Sequence, residues 1–431
     1  MPLHLSFANR VEPLVDSLSQ ALDLHWKDLG NPPEVVVPSP PVSKWLKLRL
    51  CERRPALMGL PTPTLEGFLW RSLEPEPGMS MLRGPALSQA LVPLLDDACL
   101  SEPLYARVRE FLIQDGALNP RRRMQLCQEL ARLFMEYEYN RPSVWKEGGW
   151  AVAGLDRCWP GRAYFAGSGE EENETEAWQR DLYGKVFAAE GMLARRRILS
   201  LPALHRLRRE AGWRPEGSVA MVFLVDKVSH FHRNLLMELS QGWDIHLFLQ
   251  NPCAEFWEDV ETRRHPRTRK NVKFPAFKAE DYGTEVLSPQ VYPAGADGSL
   301  QDPLLLSRWG ATARENIALW SQVTDYEFDS LVDAPLKEGQ EPTVLSLLQQ
   351  SLLNRHPGPG IQPLELEDGR ILSNPIEGDD SLTILACPER GREMEAVRDC
   401  VFQWLSEDPE RSPSDCLVLL ADPARHRTEI H

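Results

Sequence analysis

Several features that would assign a simple function are missing from this sequence. It has no window of about 18 apolar residues, so no membrane-spanning helix is expected. Its first ten residues lack a basic segment followed by a long apolar core, so no secretory leader is expected. The eight cysteines include no Cys-x-x-Cys pair, which indicates reduced thiols in a cytoplasmic protein rather than a disulfide framework or a zinc site. The net charge of −15 argues against a nucleic-acid coat protein but allows a local basic surface.

A phosphate-binding loop is missing as well. In ATP-driven helicase cores the first strand leads into Gly-x-x-x-x-Gly-Lys-Ser/Thr, whose backbone amides and lysine hold the phosphates. Here the first predicted strand, Leu3–Phe7, leads through Ala8, Asn9 and Arg10 into a helix predicted over Val11–Trp26. The motif does not occur elsewhere in the sequence. We therefore do not expect this chain to hydrolyse ATP.

The most informative stretch of the sequence predicts a strand–helix–strand unit. The apolar runs Val219–Val225 and Asp244–Leu249 are typical of buried strands, and Asn251 with Pro252 ends the second run. The segment between the strands carries apolar residues at helical spacing, namely Phe231, Leu235, Leu236 and Leu239. Such a unit predicts an α/β fold with a parallel sheet, in which the loops beyond the carboxyl ends of the strands carry function.

Further elements are predicted before this unit. A strand at Glu34–Val37 precedes a helix at Val42–Cys51, with Ser39 as a plausible N-cap. Leucines at helical spacing predict a helical insertion over about residues 82–200. Inside that region the acidic run Gly167–Glu176 is typical of a solvated, mobile loop rather than of a metal site.

The C-terminal part predicts the beginning of a second domain of the same class. Strands are predicted at Ser381–Ala386 and Leu417–Ala421, on either side of a helix over Arg392–Leu405. One such unit cannot cover both faces of a parallel sheet, so the chain is expected to be an N-terminal fragment. The predicted first domain, linker and start of the second domain are residues 1–345, 346–380 and 381–431.

The end of the central unit resembles a signature of the RecC family, the gamma subunit of bacterial exonuclease V. The run HLFLQNPCAEFW matches this signature at His246, Leu247, Asn251, Pro252, Cys253, Phe256 and Trp257. Further matches occur in family order over essentially the whole chain, at Trp45, Trp70, Tyr139-Asn140-Arg141-Pro142, Asp302–Gly310 and Arg392-Glu393-x-Glu395. The chain would be less than half of a typical member.

The resemblance implies a helicase-like (RecA-like) parallel-sheet domain without a P-loop, in a non-catalytic scaffold subunit. Such a subunit would bind double-strand DNA ends and single-stranded DNA, split the duplex, guide the strands and scan for a hotspot sequence. It would assemble with RecB-like and RecD-like motor subunits, without contact to a membrane. ATP and Mg²⁺ would be used by those partners, and this chain would hold no cofactor.

The resemblance also places hotspot-reading residues. By position they fall on Pro38, Pro40, Lys44, Thr64, Trp70, Leu133, Glu136 and Arg141. Proline side chains cannot donate hydrogen bonds to a base edge, so the same hotspot would not be read in the same way, whereas Lys44 suits a phosphate or a guanine. Trp70 could stack on a base or be a core aromatic, and Arg141 could contact DNA or form a surface salt bridge.

A basic segment follows the central unit. Residues 263–278 contain seven cationic side chains and no acidic one: Arg263, Arg264, Arg267, Arg269, Lys270, Lys273 and Lys278. As an exposed loop this segment could follow a phosphate backbone and add salt-dependent affinity without sequence preference. The alternative is a loop that contacts only water.

Two other functions stay open at this point. An active helicase or nuclease would need a P-loop or a set of carboxylates with a lysine that holds Mg²⁺, and only Asp226 with Lys227 is suggestive. His230 and His232 lack partner cysteines, so no zinc site is expected there. A purely structural docking protein is the third possibility, against which the basic segment argues.

Overall fold

The computed structural model describes most of the chain in two compact units. The described residues are 3–28, 30–54, 57, 59–140, 170–188, 191–226, 228–257, 303–321, 326–337, 339–355, 378–420, 422 and 426. The first unit comprises Met1–Ala334 with Gln350–Pro363, and the second comprises Pro335–Gln349 with Leu364–His431.

Nine strands are assigned within these described residues. They are β1 (Leu3–Ala8), β2 (Glu34–Val36), β3 (Ser80–Met81), β4 (Ile113–Gln114), β5 (Ala117–Leu118), β6 (Ile198–Leu199), β7 (Val219–Phe223), β8 (Asp244–Gln250) and β9 (Tyr326–Leu331). The main sheet has the order β2-β7-β8-β1-β9 with all neighbours parallel, and two-residue pairs form between β3 and β6 and between β4 and β5. The parallel α/β class predicted from the sequence is confirmed, whereas β9 was not predicted.

The described residues also form helices, most of them in the first unit. They are α1 (Val11–His25), α2 (Pro40–Cys51), α3 (Leu65–Ser72), α4 (Gly84–Leu91), α5 (Asp97–Ser101), α6 (Ala106–Leu112), α7 (Pro120–Asn140), α8 (Glu170–Phe187), α9 (Met192–Arg195), α10 (Leu201–Glu210), α11 (His230–Leu239), α12 (Leu304–Trp309), α13 (Ala311–Ser321), α14 (Val344–Leu353) and α15 (Arg390–Glu407). Among them, no helix is long and apolar enough to cross a bilayer.

Both faces of the main sheet are buried, which explains its continuous apolar strands. On one face Leu247 of β8 packs in a core with Leu235 of α11. On the other face Phe248, the next residue of β8, packs with Leu14 and Leu18 of α1. Successive side chains of a strand point to opposite faces, so a strand covered on both faces needs apolar residues throughout.

A separate core lies in the helical insertion. Leu91 of α4, Phe134 of α7 and Tyr183 of α8 are fully buried in it. The insertion joins the main sheet through a buried carboxyl group, because Glu138 of α7 accepts hydrogen bonds from the hydroxyls of Tyr183 and of Ser200, the N-cap of α10. Burial raises the pKa of Glu138 to about 7, although both hydroxyl donors act in the opposite direction.

The two strands predicted for the second unit are wrong. The described parts of Ser381–Ala386 and Leu417–Ala421 pair with no strand, and the side chains of Ile384 and Leu419 are 87% and 84% exposed. The predicted helix is present as α15, although no residue in it is buried. An apolar run becomes a strand only where partner strands accept its backbone hydrogen bonds, and the described residues of this unit supply none.

The predicted acidic loop is also wrong over its described part. Helix α8 begins at Glu170, so Glu170–Glu176 is helical, while residues 167–169 lie outside the described residues. Glutamate is a good helix former, and acidic residues near a helix N-terminus interact favourably with the backbone dipole. A run of charged residues can therefore form a helix and does not have to be an irregular loop.

Glu138 gives the first testable prediction. A pKa raised from 4.5 to about 7 stabilises the folded chain at low pH, and this stabilisation is lost as the pH rises through about 7. In the unchanged chain we expect Glu138 to lower the free energy of unfolding by about 2 kcal/mol as the pH rises from 5.5 to 8. In Glu138→Gln this decrease should be absent. Urea unfolding at both pH values measures this difference.

The matched control is Glu136→Gln, an exposed glutamate on the same helix. It should keep the pH dependence of the unchanged chain. An equal pH dependence in Glu138→Gln and the unchanged chain would contradict the assignment of this titration to Glu138.

Candidate nucleic-acid interface

The turn after β1 occupies the place where an ATPase would carry its phosphate-binding loop. The Asn9 side chain donates to the carbonyl oxygen of Asp333 (2.7 Å) and accepts from the Asp333 backbone amide (2.9 Å). The Arg10 guanidinium lies 3.3 Å from the Asp333 carboxylate, and Glu12 places a further carboxylate in the first turn of α1. Side-chain pairing with the end of β9 thus fixes this turn, and Glu12 makes the helix N-terminus unfavourable for a phosphate.

The signature after β8 is an internal brace. The backbone amide of Asn251 donates to Ala8 at the end of β1 (2.8 Å). The Asn251 side-chain oxygen accepts from the backbone amide of Cys253 (3.2 Å) and from the indole nitrogen of Trp257 (2.9 Å). Cys253 and Trp257 are each 1% exposed. These matched residues therefore shape the turn that leaves the sheet rather than a binding surface.

A second matched segment packs on the same brace. Gly310 stands between α12 and α13, where an added Cβ would lie 2.3 Å from the carbonyl oxygen of Leu306 and 2.9 Å from the ring of Trp257. Only glycine fits such a close approach. In the matched pair Trp309-Gly310, packing therefore requires the glycine. The Trp309 side chain is 81% exposed.

The loops after β2 form the exposed surface of the candidate interface. The backbone amide of Val37 donates to Pro63 (2.9 Å), and the hydroxyls of Ser43 and Thr62 are 2.7 Å apart, so the start of α2 lies beside the loop that enters α3. We call the four exposed predicted site residues held here the β2-edge surface: Pro38, Pro40, Lys44 and Thr64. Thr64 also caps α3, because its hydroxyl accepts from the Gly67 amide.

Lys44 differs from the three arginines at the end of α2. Arg49, Arg53 and Arg54 pair with acidic side chains, at Glu52, Asp16 and Asp23 respectively. Lys44 is exposed and has no ion pair with any residue in the described part of the chain. Its ammonium group can therefore bind an anion without first breaking a salt bridge.

The remaining predicted site residues divide into three groups. Trp70 is half-buried and packs against the main core, as the alternative interpretation expected. Leu133 is half-buried and Glu136 exposed on α7, whose end is tied to α3 by the Tyr139 hydroxyl, which donates to Glu66 (3.0 Å). Six predicted residues lie outside the described residues: Arg141, Arg263, Arg264, Arg267, Arg269 and Lys270.

Helix α11 carries two histidines in its first turn, and one of them, His232, has a structural role. Its backbone amide and ring nitrogen bond to Ser229, which forms the capping box of α11. The ring stacks on Tyr139 at 5.0 Å between centroids. Burial lowers the pKa of His232 to about 4, so this imidazole is neutral at pH 7.

Sequence reasoning missed a cluster at the opposite, amino edge of the sheet. His4, His25, Asp244 and His246 converge there. The sequence did contain one sign of this cluster, because Asp244 and His246 are two residues apart in one predicted strand and such residues share a face. The register that brings His4 beside His246 was not visible in the sequence.

These features define a class of protein, namely a parallel α/β domain with a helical insertion and with a first-strand turn closed by side-chain pairing. The family model described as the N-terminal domain of RecC matches residues 3–355. The chain belongs to this RecC N-terminal domain family.

Individual relatives agree with this assignment. The chain is 25% identical to RecBCD enzyme subunit RecC of Escherichia coli (strain K12) over 427 residues, which are 92% of this chain and 34% of that protein. It is 25% identical to the same subunit of Haemophilus influenzae, over 96% of this chain and 38% of that protein. Identity to the Mycolicibacterium smegmatis subunit is 24%, over 98% of this chain and 33% of that protein. The chain thus spans about a third of the length of these relatives.

The brace at Asn251 gives the second prediction. Asn251→Ala removes the acceptor of a buried indole N–H, and an unpaired buried donor costs about 1–3 kcal/mol. We expect the free energy of unfolding to fall by that amount in urea titrations followed by tryptophan fluorescence. Asn31→Ala, at an exposed asparagine, is the control and should change it little. Equal stabilities of the two variants would show that the brace does not stabilise the fold.

Proposed function

We propose that this chain is the N-terminal part of a non-catalytic, DNA-binding scaffold subunit in a RecBCD-like helicase/nuclease. Such a complex processes double-strand DNA ends for recombinational repair. The observation that carries the proposal is the closed turn at Asn9 in a member of the RecC family. The chain keeps the sheet of a nucleotide-dependent motor while its first-strand turn offers no phosphate cradle.

In this proposal the first unit is a helicase-like, RecA-like domain. Its parallel sheet, covered on both faces, and the function-bearing loops at its carboxyl edge support that assignment. The assembly would be cytoplasmic and would contain RecB-like and RecD-like motor subunits. Those partners would use ATP and Mg²⁺, and this chain would split the duplex, guide single strands and scan for a hotspot sequence.

We infer that DNA runs across the β2-edge surface. Lys44 is in the second turn of α2, where its exposed ammonium group can contact a phosphate, whereas Pro40 and Pro41 at the start of the helix have no N–H to donate. Pro38 and Pro40 are exposed beside it and offer apolar contact without hydrogen-bond donors. Such a surface favours backbone binding over base-edge readout, so a hotspot would be read differently or not at all.

Three arginines of the described residues contribute less to this path, because each lies near a carboxylate. Arg197 pairs with Glu76 at 2.6 Å, Arg208 lies 3.3 Å from Glu74, and Arg209 lies 3.5 Å from Glu238. A phosphate would have to displace these carboxylates.

Charge reversal at Lys44 is the third prediction. Loss of one phosphate contact lowers the salt dependence of single-strand binding by about 0.7 in the slope of log K against log salt. We expect Lys44→Glu to weaken binding of forked DNA about threefold to tenfold at low salt and to lower this slope. Fluorescence anisotropy at several salt concentrations measures both quantities on the 431-residue chain. Lys44 is preferable to Trp70, whose removal would also disturb the core.

The matched control is Lys27→Glu, which makes the same charge change at an exposed lysine just after α1. It should bind forked DNA nearly as the unchanged chain does. Equal weakening by both variants would show a general charge effect and contradict a DNA path at the β2-edge surface. No DNA binding by the unchanged chain at low salt would favour the docking protein instead, and ATP-dependent unwinding would favour an active motor.

The basic segment gives the fourth prediction. Replacing Arg263, Arg264, Arg267, Arg269 and Lys270 by serine removes five charges, which we expect to reduce the salt slope by up to about 3.5 for single strands. The control replaces Arg206, Arg208 and Arg209 by serine, since these residues are near acidic groups. If the first replacement leaves the slope unchanged, the segment does not contact DNA.

A further inference from the structure

We propose that His4, Asp244 and His246 form a binding site for one divalent transition-metal ion of the zinc class. The site lies at the amino edge of the main sheet, opposite to the β2-edge surface. It is independent of the proposed function, since none of its residues belongs to the predicted DNA path.

The fold itself brings the three ligands together. Asp244 and His246 are two residues apart on β8 and therefore share a face of the sheet. His4 on β1 is the direct parallel partner of His246 in the strand register. The imidazole rings of these two histidines stack with centroids 4.4 Å apart and planes at 10°. Three side chains on two adjacent central strands are thus held in place by backbone pairing.

The distances suit a tetrahedral ion. Nε2 of His4 and Nε2 of His246 each lie 3.3 Å from Oδ1 of Asp244, and the three ligand atoms all lie within 4.8 Å of one another. Zn²⁺ binds imidazole nitrogen and carboxylate oxygen at about 2.0–2.1 Å, so neighbouring ligand atoms of a tetrahedral site are about 3.3 Å apart. An ion at the centre of this group would require the rings of His4 and His246 to rotate out of their parallel stacking, because the lone pair of each Nε2 lies in its ring plane.

Three buried polar atoms of the cluster make ion-pair contacts within it but, in the described part of the chain, no well-aligned hydrogen bond. Nε2 of His246, Nε2 of His25 and Oδ1 of Asp244 are shielded from solvent, and within the described residues none of them has a hydrogen bond. Buried polar atoms without partners are costly, and a bound cation would satisfy the oxygen and the His246 nitrogen at once.

His25 shields the site rather than completing it. It lies in the last turn of α1, with Nε2 3.8 Å from the other carboxylate oxygen of Asp244 and its ring edge-on to His246 at 4.9 Å. The His4 side chain is 27% exposed, which leaves a path for an ion. Imidazole with one carboxylate selects Zn²⁺, Co²⁺, Ni²⁺ or Cu²⁺, whereas Mg²⁺ prefers oxygen ligands.

The test uses the untagged 431-residue chain, freed of metal by a chelator and with its thiols alkylated, because Cys51 and Cys400 are exposed. Zn²⁺ is titrated in competition with a chromophoric chelator, and Co²⁺ is added separately to record its visible absorption. We expect one Zn²⁺ per chain, a tetrahedral Co²⁺ spectrum, a higher Tm with Zn²⁺ and no such rise with Mg²⁺. Asp244→Asn and His4→Gln should each weaken Zn²⁺ binding at least about tenfold.

The control is His230→Gln, an exposed histidine outside the cluster, which should bind Zn²⁺ as the unchanged chain does. Circular dichroism and the metal-free Tm show whether each variant folds. If Asp244→Asn does not fold, His4→Gln decides, since His4 is at the rim of the site. Absence of Zn²⁺ binding by the unchanged chain, or equal Zn²⁺ affinity in the unchanged chain and a folded cluster variant, would overturn the proposal.

Discussion

Two asparagines at the carboxyl ends of adjacent strands hold the main sheet in its present form. Asn9 bonds both backbone groups of Asp333 and so joins β1 to β9, while Asn251 joins β8 to β1 through Ala8 and braces Trp257. In a nucleotide-dependent motor the first of these turns would have to open around phosphates. Here the side chain of Asn9 bonds to the backbone of Asp333 instead, so the turn is held closed.

Some of the residues that carry the family resemblance shape the backbone and offer no surface to DNA. The matched residues Asn251, Trp257 and Gly310 are internal and shape the backbone. The exposed residues Pro38 and Lys44 lie on loops where a substitution disturbs little packing. The exposed loop residues can therefore change without loss of the family fold, since the fold depends on other residues.

Elements set by a local sequence pattern could be predicted, whereas features that depend on contacts between distant segments could not. Strand β7 and residues 247–249 of β8 are continuously apolar because both faces are buried, so a local pattern identified these strands and the α/β class. The edge strand β9 mixes polar and apolar residues over its six positions and was missed. The wrongly predicted strand at Leu417–Ala421 has the right local pattern but no partner among the described residues. The His4–His246 contact depends on strand register, which no local pattern records.

Electrostatics restrict where a polyanion can approach this acidic chain. With a net charge of −15, most arginines near acidic groups form intramolecular pairs, as Arg54 does with Asp23 and Arg197 with Glu76. Screening limits repulsion from distant carboxylates to within about 8–10 Å, so a local unpaired cation decides whether a phosphate binds. Lys44 meets this condition at the carboxyl edge of the sheet, where loops can also move to fit a ligand. An acidic net charge and a DNA path are therefore compatible, provided that the path follows unpaired rather than merely numerous cations.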